Sequence, residues 1–338
     1  MAKARWLQTA VLLLKLLLLV VLISWLVESD RIDFSAFAQL LRHPVIWLGA
    51  GALALINFVV VGLRWWLLLR IKGIHLPAME AVRLTFVVNF LSQFLPGGMA
   101  TSDLLRVSYI YRWVPAGRGL GTLSILLDRL MGLHAMMVLA VVAGLLLDQS
   151  VTAHPALQTL WWSSLAITVG MPLAFLLGTL LVSYWRTPLE QWVTRAEPAL
   201  WHRIMGLLLE AAQGYRHHWL GLIGISAMAV ACHGVLGIAL AVLALQIVPG
   251  TPLGLGEYLL AFPWGVLASM LPITPGGIGV AEGAFDQICR WLSGDVAPLA
   301  YGSLFLAFRL VILMGALPGG LFYFTRFKGE VAKIEASQ

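Results

Sequence analysis

Apolar residues run through this 338-residue chain in long blocks, not in the narrow stripes of helices that keep one wet face. Blocks near 7–27, 44–69, 119–147, 159–184, 218–247 and 299–324 each supply the ~20 apolar residues that a helix needs to cross a bilayer. Six full spans are expected from them. Two further apolar stretches, 84–113 and 255–293, are broken near the middle, so neither reads as an ordinary span.

Both breaks carry the same phrase. "PGGMATSD" (Pro96 to Asp103) and "PGGIGVAE" (Pro275 to Glu282) each run Pro-Gly-Gly, four uncharged residues, then a carboxylate. Pro96 and Pro275 stop an incoming helix, while Gly97, Gly98, Gly276 and Gly277 permit the positive φ angles and close backbone approach of a tight tip. Unpaired backbone groups are costly in lipid, so such a tip is buried in protein or lines a wet cavity. Each stretch is therefore expected to be a re-entrant hairpin. An arm over 84–95 rises roughly 18 Å at ~1.5 Å per residue and stops near the middle of the hydrocarbon. The arm after each tip begins with free N–H groups and the positive end of a helix dipole, which together favour an anion. Asn89, Ser92, Gln93, Ser269 and Thr274 are expected to satisfy the backbone near the tips.

The 22 Lys and Arg residues set the orientation, because basic loops stay cytoplasmic. Lys3 and Arg5 lie in the N-tail; Arg64, Arg70, Lys72, Arg83, Arg106, Arg112 and Arg118 surround the first broken stretch; Arg186, Arg195, Arg203 and Arg216 fall in the middle loop; Arg326, Lys328 and Lys333 close the chain. The alternate loops carry only Arg31, Arg42 and Arg290. Both termini are thus predicted on the cytoplasmic side of the inner membrane, with the first hairpin entering from the cytoplasm and the second from outside.

Opposite entry with a shared phrase predicts an inverted repeat of span, hairpin and span over 44–147 and again over 218–324, inside a single membrane domain covering 1–338. Residues 186–217 mix Trp192, Trp201, Ile204 and Met205 with Arg195, Arg203 and Glu210 and read as an amphipathic cytoplasmic connector. The N-terminal run lacks a small-x-small cleavage site and is taken as a retained helix, with Lys15 reaching toward the interface.

Asp103, Asp128, Arg129, Glu282 and Arg309 stand in otherwise apolar sequence, where a charge must be paired or face water. Asp103 precedes Arg129-Leu130 by 26 residues, and Glu282 precedes Arg309-Leu310 by 27. Two roles compete. The carboxylates bond arginines and lock hairpin to span, or the arginines and helix N-termini grip an anionic headgroup that the carboxylates tune. His134 and His233, inside spans, read first as buried histidines bonded to a neighbour. All of the 14 Trp residues except Trp264 sit near span boundaries or in loops, as interfacial anchors do.

With 60% hydrophobic and 11% charged residues and a mean hydropathy of +0.89, the chain is excluded from the soluble domains of its length. Cys232 and Cys289 lie in apolar sequence without metal-ligand spacing, so neither a disulfide nor a metal centre is expected. No P-loop or GxSxG occurs, and no cofactor or enzymatic activity is expected.

"FLSQFLPGGMATSDLLRV" (Phe90 to Val107), "LLDRLMGL" (Leu126 to Leu133), "LPITPGGIGVAEGAF" (Leu271 to Phe285), and "FRL" ahead of "LPGG" (Phe308 to Gly320) carry a resemblance. On these residues the chain resembles the family sharing the flippase-like transmembrane region of bacterial lysylphosphatidylglycerol synthases, the multiple peptide resistance factors. The resemblance implies an all-helical polytopic fold with hairpin-containing repeats and the binding or movement of a phospholipid or lipid-linked anion. It points to Pro96, Gly97, Gly98, Pro275, Gly276 and Gly277 at the tips, Asp103 with Arg106, Asp128 with Arg129, Glu282, and Arg309. The fused synthases add a soluble aminoacyl-transfer domain that this sequence lacks, so it is not expected to make aminoacylated lipid by itself.

The expected function is that of a lipid flippase or transporter with a midplane site for an anionic headgroup. A noncatalytic scaffold that presents lipid to a glycosyltransferase or acyltransferase is the alternative, and an intramembrane enzyme using Asp128 or Glu282 is the weakest of three readings. Expected partners are membrane phospholipid or a lipid-linked anion, then a second copy of the chain or a lipid-modifying enzyme, and no nucleic acid.

Overall fold

The computed structural model describes residues 14, 17, 20–33, 42–93, 98–114, 118–147, 151, 154–184, 215, 218–247, 250–271, 273–294 and 300–327. Among them all regular structure is helical. A helical segment over 20–28 precedes α1 (Pro44–Ile71), α2 (Ala78–Ser92), α3 (Gly98–Trp113), α4 (Arg118–Leu146), α5 (Pro155–Tyr184), α6 (Trp219–Ile247), α7 (Leu255–Ser269), α8 (Val280–Ser293) and α9 (Tyr301–Phe322). Among the described residues five helices are long and apolar enough to cross a membrane: Pro44–Ile71, Arg118–Leu146, Pro155–Leu181, Trp219–Ala244 and Tyr301–Thr325. The expected span over 7–27 falls largely outside the described residues, as do Pro96, Gly97 and, apart from Tyr215, the connector over 186–217.

Helix lengths repeat along the chain. The order of 28, 15, 16 and 29 residues in α1 to α4 returns as 29, 15, 14 and 22 residues in α6 to α9. The 15 residues of α2 reach about 22 Å, short of a ~30 Å hydrocarbon core. This arm begins earlier than expected from 84, and Arg83, which read as a charge beside the broken stretch, pairs with Glu80 at 3.1 Å on the helix itself.

Packing repeats as well. α1 lies on α6 at the centre; α2 packs on α1 and α9, and α7 on α6 and α4. α1 meets α9 as α6 meets α4, and α3 meets α4 as α8 meets α9. Exchanging the halves maps every one of these pairs onto another. Small residues permit the close approaches at equivalent places: a Cβ at Gly62 would lie 2.7 Å from Val82 Cα, and one at Gly237 would lie 2.7 Å from Leu259 Cδ2. Val82 and Leu259 are each the fifth residue of their arm.

The third Pro-Gly-Gly, at Pro318 to Gly320, is no tip. It continues α9, and a Cβ on Gly319 would run into the carbonyl of Phe86, so the glycine is what lets α9 cross α2. α5 stands outside the repeating set, on α4 and the edge of α8, with Leu173, Leu176 and Leu180 exposed. The segment ahead of α1 lies along α8: Leu26 is fully buried, and Asp33 N–H donates to Ser303 Oγ at 2.6 Å.

Candidate functional site

The second tip is the better described of the two. Pro275–Gly277 makes a single turn between α7 and α8. Gly276 and Gly277 have φ of 61° and 68°, as the phrase predicts, and a Cβ on Gly277 would meet the carbonyl of Ser269. Ser269 Oγ donates to the Val266 carbonyl and Thr274 Oγ1 to that of Ile278. Both satisfy local backbone.

Arg309 clasps this tip from α9. It donates to the carbonyls of Gly276 at 2.8 Å and Gly277 at 2.9 Å and is ion-paired with Glu282 at 2.6 Å. Glu282 Oε2 in turn accepts from the Gly279 N–H at 2.6 Å. The expectation of free N–H groups at the start of this arm is therefore corrected at Gly279. Glu282 is the third residue after Gly279, so its side chain curls back over the helix start and caps it with the protein's own carboxylate.

In the first half the charges join into a buried network. Asp103 on α3 accepts two hydrogen bonds from Arg129 on α4, both at 2.7 Å. This settles the partner of Asp103 within its own half. Asp128 accepts from Arg64 on α1 at 2.8 Å. Arg106 lies between the pairs, 3.6 Å from Asp128 Oδ2 and 3.8 Å from Asp103 Oδ1, and donates to Thr85 Oγ1 at 3.0 Å. Its guanidinium sits 4.9 Å over the ring of Trp65. Three arginines thus face two aspartates among the described residues, in a cluster whose centre is closed off: Arg106 is 0% exposed, Asp128 1% and Arg64 4%.

Several sequence expectations change here. Arg64 and Arg106 read as charges flanking a cytoplasmic loop; both are buried in helices and contribute nothing to loop charge. Trp65 read as an interfacial anchor; it is fully buried, donates to Ser124 Oγ at 3.1 Å and roofs Arg106. Asp128 is held by Arg64 and Arg106 rather than by adjacent Arg129, because neighbouring residues on a helix point 100° apart.

The second tip approaches the two arms of the first broken stretch. A Cβ on Gly276 would stand 3.5 Å from the Gln93 carbonyl at the end of α2, and α3 packs on the Pro275–Gly277 turn. Asn89, Ser92 and Gln93 bond carbonyls of their own helix, at Thr85 and Asn89. His233 on α6 reaches the network across the α1–α6 contact: a Cβ on Gly132 would lie 3.6 Å from His233 Nε2 and 3.9 Å from Arg64 Nη2. His134 is bonded to the Thr168 carbonyl at 3.1 Å.

A second cluster escaped sequence reading. Asp286 on α8 binds Arg290 at 2.7 Å and Arg31 at 3.2 Å, and accepts from the Gly302 N–H at 3.3 Å. Its signal was the i, i+4 spacing with Arg290; Arg31, 255 residues away, gave none. Cys232 and Cys289 are free and buried, and no group of three or more metal-ligating side chains forms among the described residues.

Comparisons with curated proteins and with solved structures returned no match. The family described as the lysylphosphatidylglycerol synthase TM region matches residues 12–319. The matched range includes both Pro-Gly-Gly phrases, the arginine network and the Arg309 clasp, and takes in four of the five membrane-length helices whole and most of the fifth. On that match this chain, a multi-pass membrane protein, belongs to the lysylphosphatidylglycerol synthase TM region family.

Proposed function

We propose that the protein binds an anionic phospholipid or lipid-linked phosphate where its two broken helices meet and moves it between leaflets, without chemical change to the lipid. The observation that carries this reading is the buried excess of arginine over aspartate on α1, α3 and α4 among the described residues, in the half whose α2 end meets the second tip. A buried charge cluster is expensive in a bilayer and marks substrate paths there. Family membership adds a relation to lipid handling.

In this reading α2–α3 and α7–α8 are re-entrant hairpins of two inverted repeats, 44–147 and 218–324, entering from opposite faces. Alternate exposure comes from one half rocking against the other. The termini are cytoplasmic, and the membrane is the inner one. The partners are the lipid itself and, among proteins, a second copy of the chain or a lipid-modifying enzyme.

One observation favours a second reading. Arg309 is consumed by the tip carbonyls and Glu282, as expected of a noncatalytic scaffold that presents lipid to a glycosyltransferase or acyltransferase. Reconstitution in liposomes carrying fluorescent anionic or zwitterionic lipids separates the two. Transport predicts movement of the anionic lipid between leaflets that is lost in folded Arg129→Gln. No movement of any lipid with the wild-type protein sinks transport and leaves the scaffold.

A further inference from the structure

We propose that the anion is held by the first half alone, on Arg106 with Arg64 beside it, and that the second half carries packed apolar side chains at the positions equivalent to these two arginines. This rests on the lipid-binding reading above and names the groups that perform it.

The two halves supply their own control. Arg106 and Phe285 each lie ten residues past the proline of the shared phrase; Asp128 and Phe308 each precede the paired arginine. Thr85 and Phe262 are each the eighth residue of their arm, and Arg64 and Leu240 each lie seven residues before the end of their span. Leu240, Phe262, Phe285 and Phe308 belong to one buried apolar cluster, with the rings of Phe262 and Phe308 edge to face at 5.5 Å. At these four positions the second half joins hairpin to span by packing, and its charged fastening is confined to the Glu282–Arg309 pair, the counterpart of Asp103–Arg129. Well-packed apolar groups generally hold such a place as firmly as buried ion pairs do. Fastening therefore does not explain Arg106, Asp128 and Arg64 in the first half.

Partners in that half are unequally shared. Asp103 accepts from Nε and Nη2 of Arg129, and Asp128 from Nε of Arg64. Arg106 comes third: Asp103 is held by Arg129, and Asp128 Oδ2, itself without a hydrogen bond, stands 3.6 Å from Arg106 Nη1, an ion pair too long to be a hydrogen bond. Its Nη2 reaches Thr85, while its Nε and Nη1 have no hydrogen-bond acceptor among the described residues, and neither has Arg64 Nη1. A buried donor without an acceptor is costly. A planar guanidinium fork with idle donors matches the oxygens of a phosphate group, whether that of a lipid headgroup or free phosphate.

The test uses the full chain in detergent micelles, with thermal unfolding read against added phosphatidylglycerol or inorganic phosphate, for wild type, Arg106→Phe, Arg106→Met and Phe285→Leu. The expected result is stabilisation of wild type and of Phe285→Leu, with apparent affinity about tenfold or more weaker in both Arg106 variants, whose melting without ligand stays at or above that of wild type. Stabilisation by the lipid alone assigns the site to a headgroup, and stabilisation by both probes assigns it to the phosphate group itself. Arg106→Met carries the comparison if Arg106→Phe does not fold. Arg106 variants that melt lower yet respond to lipid as wild type does overturn this inference and leave lipid binding standing. No response of the wild type to either probe overturns both.

Discussion

Arg309 reaches back 33 residues to donate to the carbonyl of Gly276 at 2.8 Å, so the second tip is tied to α9 through its own backbone. The neighbouring bond to Gly277 and the ion pair with Glu282 complete the clasp: both terminal nitrogens donate to tip carbonyls, and Nε meets Glu282 as an ion pair without hydrogen-bond geometry.

Shortening that side chain leaves two tip carbonyls without their donors. Arg309→Gln is expected to lose about 3 kcal/mol or more of stability, the sum of two charge-assisted bonds. Arg309→Lys recovers only part, since an ammonium cannot fork to both carbonyls. Melting temperatures in a common detergent check this, and equal melting of wild type and Arg309→Gln contradicts the clasp.

Arg64 and Asp128 are bonded at 2.8 Å and both almost fully buried. Asp128→Phe alone leaves Arg64 charged in a closed interior, with an expected cost of ~3–5 kcal/mol. Adding Arg64→Leu, the residue of the other half, is expected to restore part of that loss. A double-mutant cycle on unfolding free energies measures the coupling, and additive single effects refute it.

Two glycines on membrane-length helices should respond with opposite sign. Gly319→Ala drives a Cβ into the Phe86 carbonyl, which has no rotamer with which to yield, and is expected to cost ~1–3 kcal/mol. Gly49→Ala meets nothing within 4 Å and is expected to gain up to ~1 kcal/mol from restricted backbone freedom. Thermal unfolding of the pair decides, and a neutral Gly319→Ala means α9 crosses α2 less closely.

Asp286 joins Arg31, ahead of α1, to Arg290 and α9. Asp286→Ala is expected to loosen the segment over 20–33, read as faster protease cleavage at Arg31 in the folded protein. Unchanged cleavage shows that the apolar contacts of Leu22 and Leu26 hold the segment without the aspartate.

Much of this architecture is written in local order. The lengths of apolar blocks give the membrane helices, because a bilayer imposes one length on whatever crosses it. Pro275 with Gly276 and Gly277 gives the tip, because few other residues stop a helix and accept positive φ in succession. Spacing of 26 and 27 residues from carboxylate to arginine anticipates the Asp103–Arg129 and Glu282–Arg309 pairs, the return distance of one hairpin arm and the following span.

Tertiary structure decided the rest. That Arg64 meets Asp128, that Trp65 covers Arg106, and that Arg31 reaches Asp286 depend on which faces of separate helices are turned together, and no periodicity within one helix records this. The difference between the halves was equally hidden. In sequence the doubled phrase suggested two like charge sets, but only packing shows Arg106, Asp128 and Thr85 gathered on one side and Phe285, Phe308 and Phe262 gathered on the other. Charge and ring occupy the same register because helix packing fixes position, while the chemistry placed there is left free.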